Sequence, residues 1–226
     1  MNDLKFASRW LAALIVAELV LGPITNFTLL EPVFQGPGGF LANAAPHATA
    51  LSSAALLSIA LAVISSGVAI LLWPVLRPLS ERMALALAML CAAGIALAGF
   101  ENVSLLSMLS LSQGYAAAGS PDEVLYQALR GVVGAQRNWA HLVQLLFAGA
   151  TLLAMYASFY RFRLVPRWLA GFGVLACVLQ MLAVAKPVFG GWVIFAMLAP
   201  LGAAQLILLG WLLVKGLRPP EAATAG

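Results

Sequence analysis

The chain reads as an all-α, polytopic membrane helix bundle, and three observations predict it. Of its 226 residues, 63% are hydrophobic and only 9% are charged, whereas a soluble domain carries roughly a quarter of its residues as Asp, Glu, Lys or Arg. The apolar residues gather into six long runs, and a membrane-crossing helix needs about 20 such residues in succession. The basic residues sit in the short turns between the runs and alternate in density from one turn to the next. Apolar surface of this extent has no place in water, so the predicted solvent is lipid. The formal net charge of +4 is no nucleic-acid footprint, because the cations are dispersed among loops and form no stripe. The partner to expect is the bilayer itself, with no nucleic acid.

The first span is predicted over about residues 10–30, with Pro23 as a kink that neighbouring helices accommodate. Lys5 and Arg9 ahead of an apolar run, and an A-x-A at Ala42–Ala44, imitate a signal peptide. The cleavage-like site lies too far downstream and Glu18 interrupts the run, so a retained first helix is expected. The loop EPVFQGPGGFLANAAP is too rich in Gly and Pro for regular structure, and Gly36-Pro37-Gly38-Gly39 reads as a turn, with no strand or Walker lysine beside it. The second span covers about 47–72 and stops at Trp73-Pro74; the third covers about 83–111, longer than the hydrocarbon core requires.

Ser120-Pro121-Asp122-Glu123 then places a capping Ser, a proline at the first helical position and Glu at the third, which predicts a short surface helix over about 121–133. The fourth span follows over about 138–160, the fifth over about 168–185 and the sixth over about 192–214, with RPPEAATAG as a frayed tail. All of this is read as a single transmembrane domain, 1–226.

Orientation comes from the cations. Lys5, Arg9, Arg77, Arg82, Arg161, Arg163, Arg167, Lys215 and Arg218 fall on one side; Arg130, Arg137 and Lys186 fall on the other. Cytoplasmic loops carry the excess of Lys and Arg, so both termini are predicted inside. A multi-pass protein of the bacterial inner membrane is the expected setting. Trp10, Trp73, Trp139, Trp168, Trp192 and Tyr160 stand near span ends, where amphipathic rings anchor at the interface. Cys91 and Cys177 lie inside apolar runs and read as small buried hydrophobes.

Ionisable side chains within a span are costly, so each needs a reason. At a rise of about 1.5 Å per residue they fall into two layers. The outer layer holds Glu101 and Asn102 on the third span with Arg137, Asn138, His141 and Gln144 at the head of the fourth; Asn26, Lys186 and His47 lie at comparable depth. Arg137, His141 and Gln144 follow i, i+4, i+7 spacing and share one face. The middle layer holds Glu18, Gln180 and Gln205.

Three readings of the outer layer stand side by side. It is a set of interhelical bonds, with a Glu101–Arg137 or Glu101–His141 pair fixing register. Alternatively it is a substrate or proton pocket open to the outer side. Or it is a two-His, one-carboxylate metal centre from His47, His141 and Glu101, the weakest of the three, since no HExxH-type pair is present. Glu18 reads either as a neutral, hydrogen-bonded carboxyl or as the proton carrier of a small coupled transporter. The halves of the chain show no internal repeat, so a homo-oligomer would have to supply a transporter's symmetry.

No Gly-rich phosphate loop after a strand, GxSxG elbow or CxxC occurs, and no cofactor is implied. The stretch AQRNWAHLVQLLFAGATLLAMYASFYRFRLVPRWLAGFGVLA resembles a bacterial six-helix membrane family filed as domain-of-unknown-function family 4386. Its most specific piece runs from Tyr160 to Leu169, with support from Trp73-Pro74-Val75-Leu76-Arg77, from Phe100-Glu101 and from Gly210 to Gly216. In that family acidic residues often stand where this chain has Asn138 and Gln205, so the amides argue against a charge-based mechanism at those two positions. The resemblance implies an integral membrane protein of unestablished activity. The leading functional expectation is therefore a binding protein for a small molecule or lipid, in an outward-facing polar pocket of Glu101, Asn102, Arg137, Asn138, His141 and Gln144. The rivals are an intramembrane enzyme using Glu101 and His141 as acid–base pair or metal ligands, and a proton-coupled transporter using Glu18.

Overall fold

A computed structural model describes residues 2–119 and 123–220. Among these residues there is no strand, and six helices are long and apolar enough to cross a membrane: Leu4–Gln35, Ala48–Leu76, Glu81–Ala117, Val124–Phe162, Arg167–Phe189 and Phe195–Val214. The all-α, six-span expectation holds. The helices are α1 (Asn2–Pro23), α2 (Glu31–Gln35), α3 (Gly39–Asn43), α4 (Ala48–Leu76), α5 (Glu81–Ala117), α6 (Glu123–Phe162), α7 (Arg167–Ala185) and α8 (Ala199–Val214).

Several boundaries depart from the sequence reading for identifiable reasons. At Pro23 the α-helix gives way to a π-helical stretch, Ile24–Leu30, in which the hydroxyl of Thr25 and the amide of Asn26 donate to the carbonyls of Leu21 and Gly22 at 2.8 and 3.0 Å. Polar side chains thus occupy carbonyls around the proline. The loop expected to lack regular structure contains α2 and α3. Pro32 occupies a first-turn position of α2, where a missing N–H costs nothing. Gly38 and Gly39 take φ values of 81° and 64° to reverse the chain between the two helices.

Helix α4 does not stop at Trp73 but carries Pro74 in its last turn. Helix α5 starts a few residues earlier than expected, where the Ser80 hydroxyl accepts from the Met83 N–H at 3.4 Å. The separate surface helix expected over about 121–133 is instead the first part of α6, since no proline interrupts the chain between Pro121 and Pro166. The capping signature at Ser120-Pro121-Asp122 lies outside the described residues. The sixth span begins as a 3-10 turn, Phe195–Met197, before α8, whose first turn holds Pro200, where a missing N–H costs nothing.

The chain divides into two compact units, each described by itself. Unit 1 takes Met1–Val16, Ile64–Gly94 and Leu145–Gly226; unit 2 takes Ala17–Val63 and Ile95–Gln144.

In unit 1 the largest wholly buried side chains are Tyr156 and Phe159, on α6. A Cβ added to Gly173 on α7 would land on the Tyr156 ring, so the missing side chain lets the aromatic lie against the α7 backbone. Likewise a Cβ on Gly149 would land on the Gln180 amide oxygen, and the amide nitrogen of Gln180 donates to the Leu145 carbonyl at 3.1 Å. The C-terminal stretch is tied to the start of α1 and to the α6–α7 turn. Leu217 N–H donates to the Ser8 hydroxyl at 2.8 Å, and Arg218 N–H donates to the Leu164 carbonyl at 2.7 Å. The frayed tail is thus corrected as far as residue 218, because two backbone donors find acceptors there; residues 221–226 lie outside the described part. These bonds bring the start of α1, the α6–α7 turn and the C-terminal stretch to the same end of unit 1, as an even number of spans requires.

Unit 2 is built on Leu30, Val33, Phe40, Ala44, Leu51, Ala54 and Ala55 packed with Leu105, Met108 and Leu109. Ser112 pins the first loop to α5: its hydroxyl donates to the Leu41 carbonyl and accepts from the Ala45 N–H, both at 2.8 Å.

Two substitutions test this packing. Gly173→Ala forces a methyl against a buried ring and should destabilise the protein by about 1–3 kcal/mol, read as a lower melting temperature in detergent. Ser112→Ala strands one half-buried donor and one buried acceptor and should cost about 1–3 kcal/mol, with increased amide exchange of Ala45 as the local signature.

Candidate functional site

The polar cluster of unit 2 forms where α5 and α6 meet. Arg137 and His141 are one turn apart on α6, so their side chains leave the same face. Both reach one oxygen of Glu101 on α5. The His141 Nδ1–H donates to Glu101 Oε1 at 2.8 Å, and Arg137 Nη2 donates to the same Oε1 at 3.4 Å. The carboxylate partner fixes the tautomer, since only a protonated Nδ1 can donate to it. The side chains are 12% (Arg137), 18% (Glu101) and 30% (His141) exposed, so the ion pair is shielded while the imidazole keeps an open edge.

Other groups complete the surroundings. The Phe34 ring of α2 faces the Arg137 guanidinium at 4.8 Å, a cation–π contact. The Gln136 amide donates to the Ser104 hydroxyl at 3.3 Å, and that hydroxyl donates to its own helix at Phe100 O, 3.1 Å. Arg137 Nε is buried and has no hydrogen-bond partner among the described residues. An arginine cannot shed that proton.

The structure therefore joins three of the six outer-layer residues. Asn102 is buried beside Glu101, but its amide donates back to Ala98 O at 2.8 Å within α5. Asn138 is exposed and Gln144 half-buried; neither bonds to the Glu101 carboxylate. His47 Nδ1 lies 2.8 Å from Asn43 O. Among the described residues no group of three or more His, Cys, Asp or Glu side chains could hold a metal ion, so the His47–His141–Glu101 centre is not formed, because His47 is held by α3. Glu18 is half-buried on α1. In unit 1 the Tyr156 hydroxyl and the Oε1 atoms of Gln180 and Gln205 are buried without a hydrogen-bond partner among the described residues.

Three participants escaped the sequence reading: Gln136, Ser104 and Phe34. Ser104 was available to it, standing three residues after Glu101 on the same helix face. Phe34 was not, because its contact depends on the path of the first loop. Chemically, the cluster is a carboxylate with its charge neutralised by a guanidinium, a histidine oriented by that carboxylate, and a buried arginine Nε–H without a hydrogen-bond partner among the described residues.

A double-mutant cycle tests the pairing. Glu101→Ala leaves the shielded Arg137 charge uncompensated and should destabilise by about 3 kcal/mol. Arg137→Ala should cost a comparable amount, and the double variant should cost clearly less than the sum of the two.

A family model described as a domain of unknown function (DUF4386) matches residues 11–216. No curated protein and no solved structure matches the chain.

Proposed function

The chain belongs to the DUF4386 family, and we propose that this multi-pass membrane protein binds a small molecule or a lipid at Glu101, Arg137 and His141 of unit 2. The observation that carries the reading is that two membrane-spanning helices spend three ionisable side chains on one oxygen atom and still leave a buried arginine N–H unpartnered. Helix register alone would be served by a single pair. Ionisable residues inside a membrane protein are expensive and mark functional sites by default.

Depth supports the same reading. Glu101 stands about 30 Å along α5 from Glu81, and His141 about 30 Å along α6 from Phe162, at a rise of about 1.5 Å per residue. The hydrocarbon core is about 30 Å thick, so the cluster belongs at the boundary opposite the arginine-rich turns. With cytoplasmic loops positive, that boundary faces outward. A bacterial inner membrane, both termini inside and a single transmembrane domain complete the proposal.

The 2.8 Å Glu101–His141 bond also suits a general base held by its orienting carboxylate, which makes an intramembrane enzyme the second reading. One experiment addresses both. The full chain, purified in mild detergent, is taken to native mass spectrometry and to thermal melts against a metabolite and lipid panel. A ligand that raises the melting temperature should lose that effect in Glu101→Ala and in His141→Ala. If both variants keep the wild-type ligand response, the site is helix packing and the proposal fails. A compound recovered chemically altered would favour the enzyme.

A further inference from the structure

Arg137 carries the most specific information about what the site takes. Its Nε and Nη2 share one edge of the guanidinium, the edge on which a carboxylate ordinarily forms two parallel bonds. Glu101 makes only one of them, through Oε1 to Nη2 at 3.4 Å, because the same Oε1 is drawn to His141 at 2.8 Å. The second tooth of the fork, Nε–H, is buried and empty-handed. The Phe34 ring lies 4.8 Å from the guanidinium carbon, and an acceptor for Nε comes in the guanidinium plane, where that N–H points. Phe34 sits on the five-residue helix α2, which runs into the Gly36-Pro37-Gly38-Gly39 turn.

The charge balance selects the acceptor. Arg137 and Glu101 already cancel as an ion pair. A second anion against Glu101 would leave one charge uncompensated in a low-dielectric site, which is costly. A neutral carbonyl oxygen satisfies the N–H and adds no charge. Resting on the binding reading above, we propose that the occupant is a lipid-soluble molecule that presents a neutral carbonyl oxygen to Arg137 Nε, either the ester of an acyl lipid or a free ketone.

The test compares ligands that differ only in that oxygen. The full chain is delipidated in detergent and titrated with a diester phosphatidylcholine and with its diether analogue, which has no carbonyl. Diester phosphatidylglycerol and inorganic phosphate are the charged arms. Binding is read by native mass spectrometry and melting temperature. The diester should bind at least about tenfold tighter than the diether, the worth of a hydrogen bond to a charged group. Phosphatidylglycerol should match phosphatidylcholine, and phosphate should do nothing. Arg137→Lys keeps the positive charge and lacks the Nε–H, and it should erase the diester–diether difference.

A long-chain ketone that displaces the diester identifies a free carbonyl compound as the source; one that does not assigns the site to the acyl lipid. Equal binding of diester and diether, or a preference for the anionic arms, overturns the carbonyl while leaving the binding reading intact. No saturable binding by any arm overturns both. Where Arg137→Lys fails to fold, the wild-type diester–diether comparison decides alone.

Discussion

Hydrocarbon offers no hydrogen-bond partner, and that constraint organises everything polar in this protein. Each buried donor or acceptor must be met from within, at a cost of a few kcal/mol where it is not. Most of the polar side chains answer by bonding their own helix. Thr25, Asn26, Asn102, Ser104, Ser107, Ser110, Thr151 and Ser158 all donate to the carbonyl four residues back. Apart from Ser104, which also accepts from the Gln136 amide, such residues need no neighbour and say nothing of a site. Glu101 cannot do this, because a carboxylate only accepts, and helix carbonyls only accept as well. It must recruit donors from another helix, and α6 supplies two.

That asymmetry separates structural from candidate functional polarity. Asn102 and Glu101 are adjacent in sequence and both shielded, yet Asn102 closes on Ala98 while Glu101 reaches across to Arg137 and His141. The same logic applies to the links. Ser8 and Ser112 are hydroxyls that donate to one group and accept from another, and each stitches a distant backbone segment to a helix. A hydroxyl can serve in both directions at once, so it suits a junction where a free N–H and a free carbonyl meet.

The legibility of this fold in its sequence follows from which signals are local. Six spans could be read because run length against bilayer thickness is a property of each segment alone. The Glu101–Arg137–His141 grouping could be read because depth counts along two helices, and i, i+4 spacing places Arg137 and His141 on one face. What could not be read depended on several segments at once. α2 and α3 form in a Gly- and Pro-rich loop because Pro32 falls in a first turn and Gly38 and Gly39 accept positive φ, whereas composition alone argues only for a break. The separate surface helix is suggested by the capping signature Ser120-Pro121-Asp122-Glu123, but with no proline between Pro121 and Pro166 the helix that starts at Glu123 runs on into the span. Asn138 is grouped with the site by depth, which is blind to the side of the helix a residue occupies, and it is exposed; Gln144 shares the face of Arg137 and His141 by spacing yet stays half-buried without a bond to the Glu101 carboxylate.

Phe34 shows why that last kind of information matters. Without it Arg137 and Glu101 would form an ordinary shielded pair, and the ligand question would rest on polarity alone. The ring brings an apolar surface onto the guanidinium without giving any acceptor to its N–H groups, while His141 holds the carboxylate off the two-toothed arrangement it would otherwise take. The arginine is thus left shielded and incompletely bonded by two separate neighbours from two separate elements. Helix packing would be served better by a fully closed pair, since a carboxylate bridging both N–H groups would satisfy the fork at no extra cost. Preserving an open donor in a low-dielectric place makes sense where something arrives to use it.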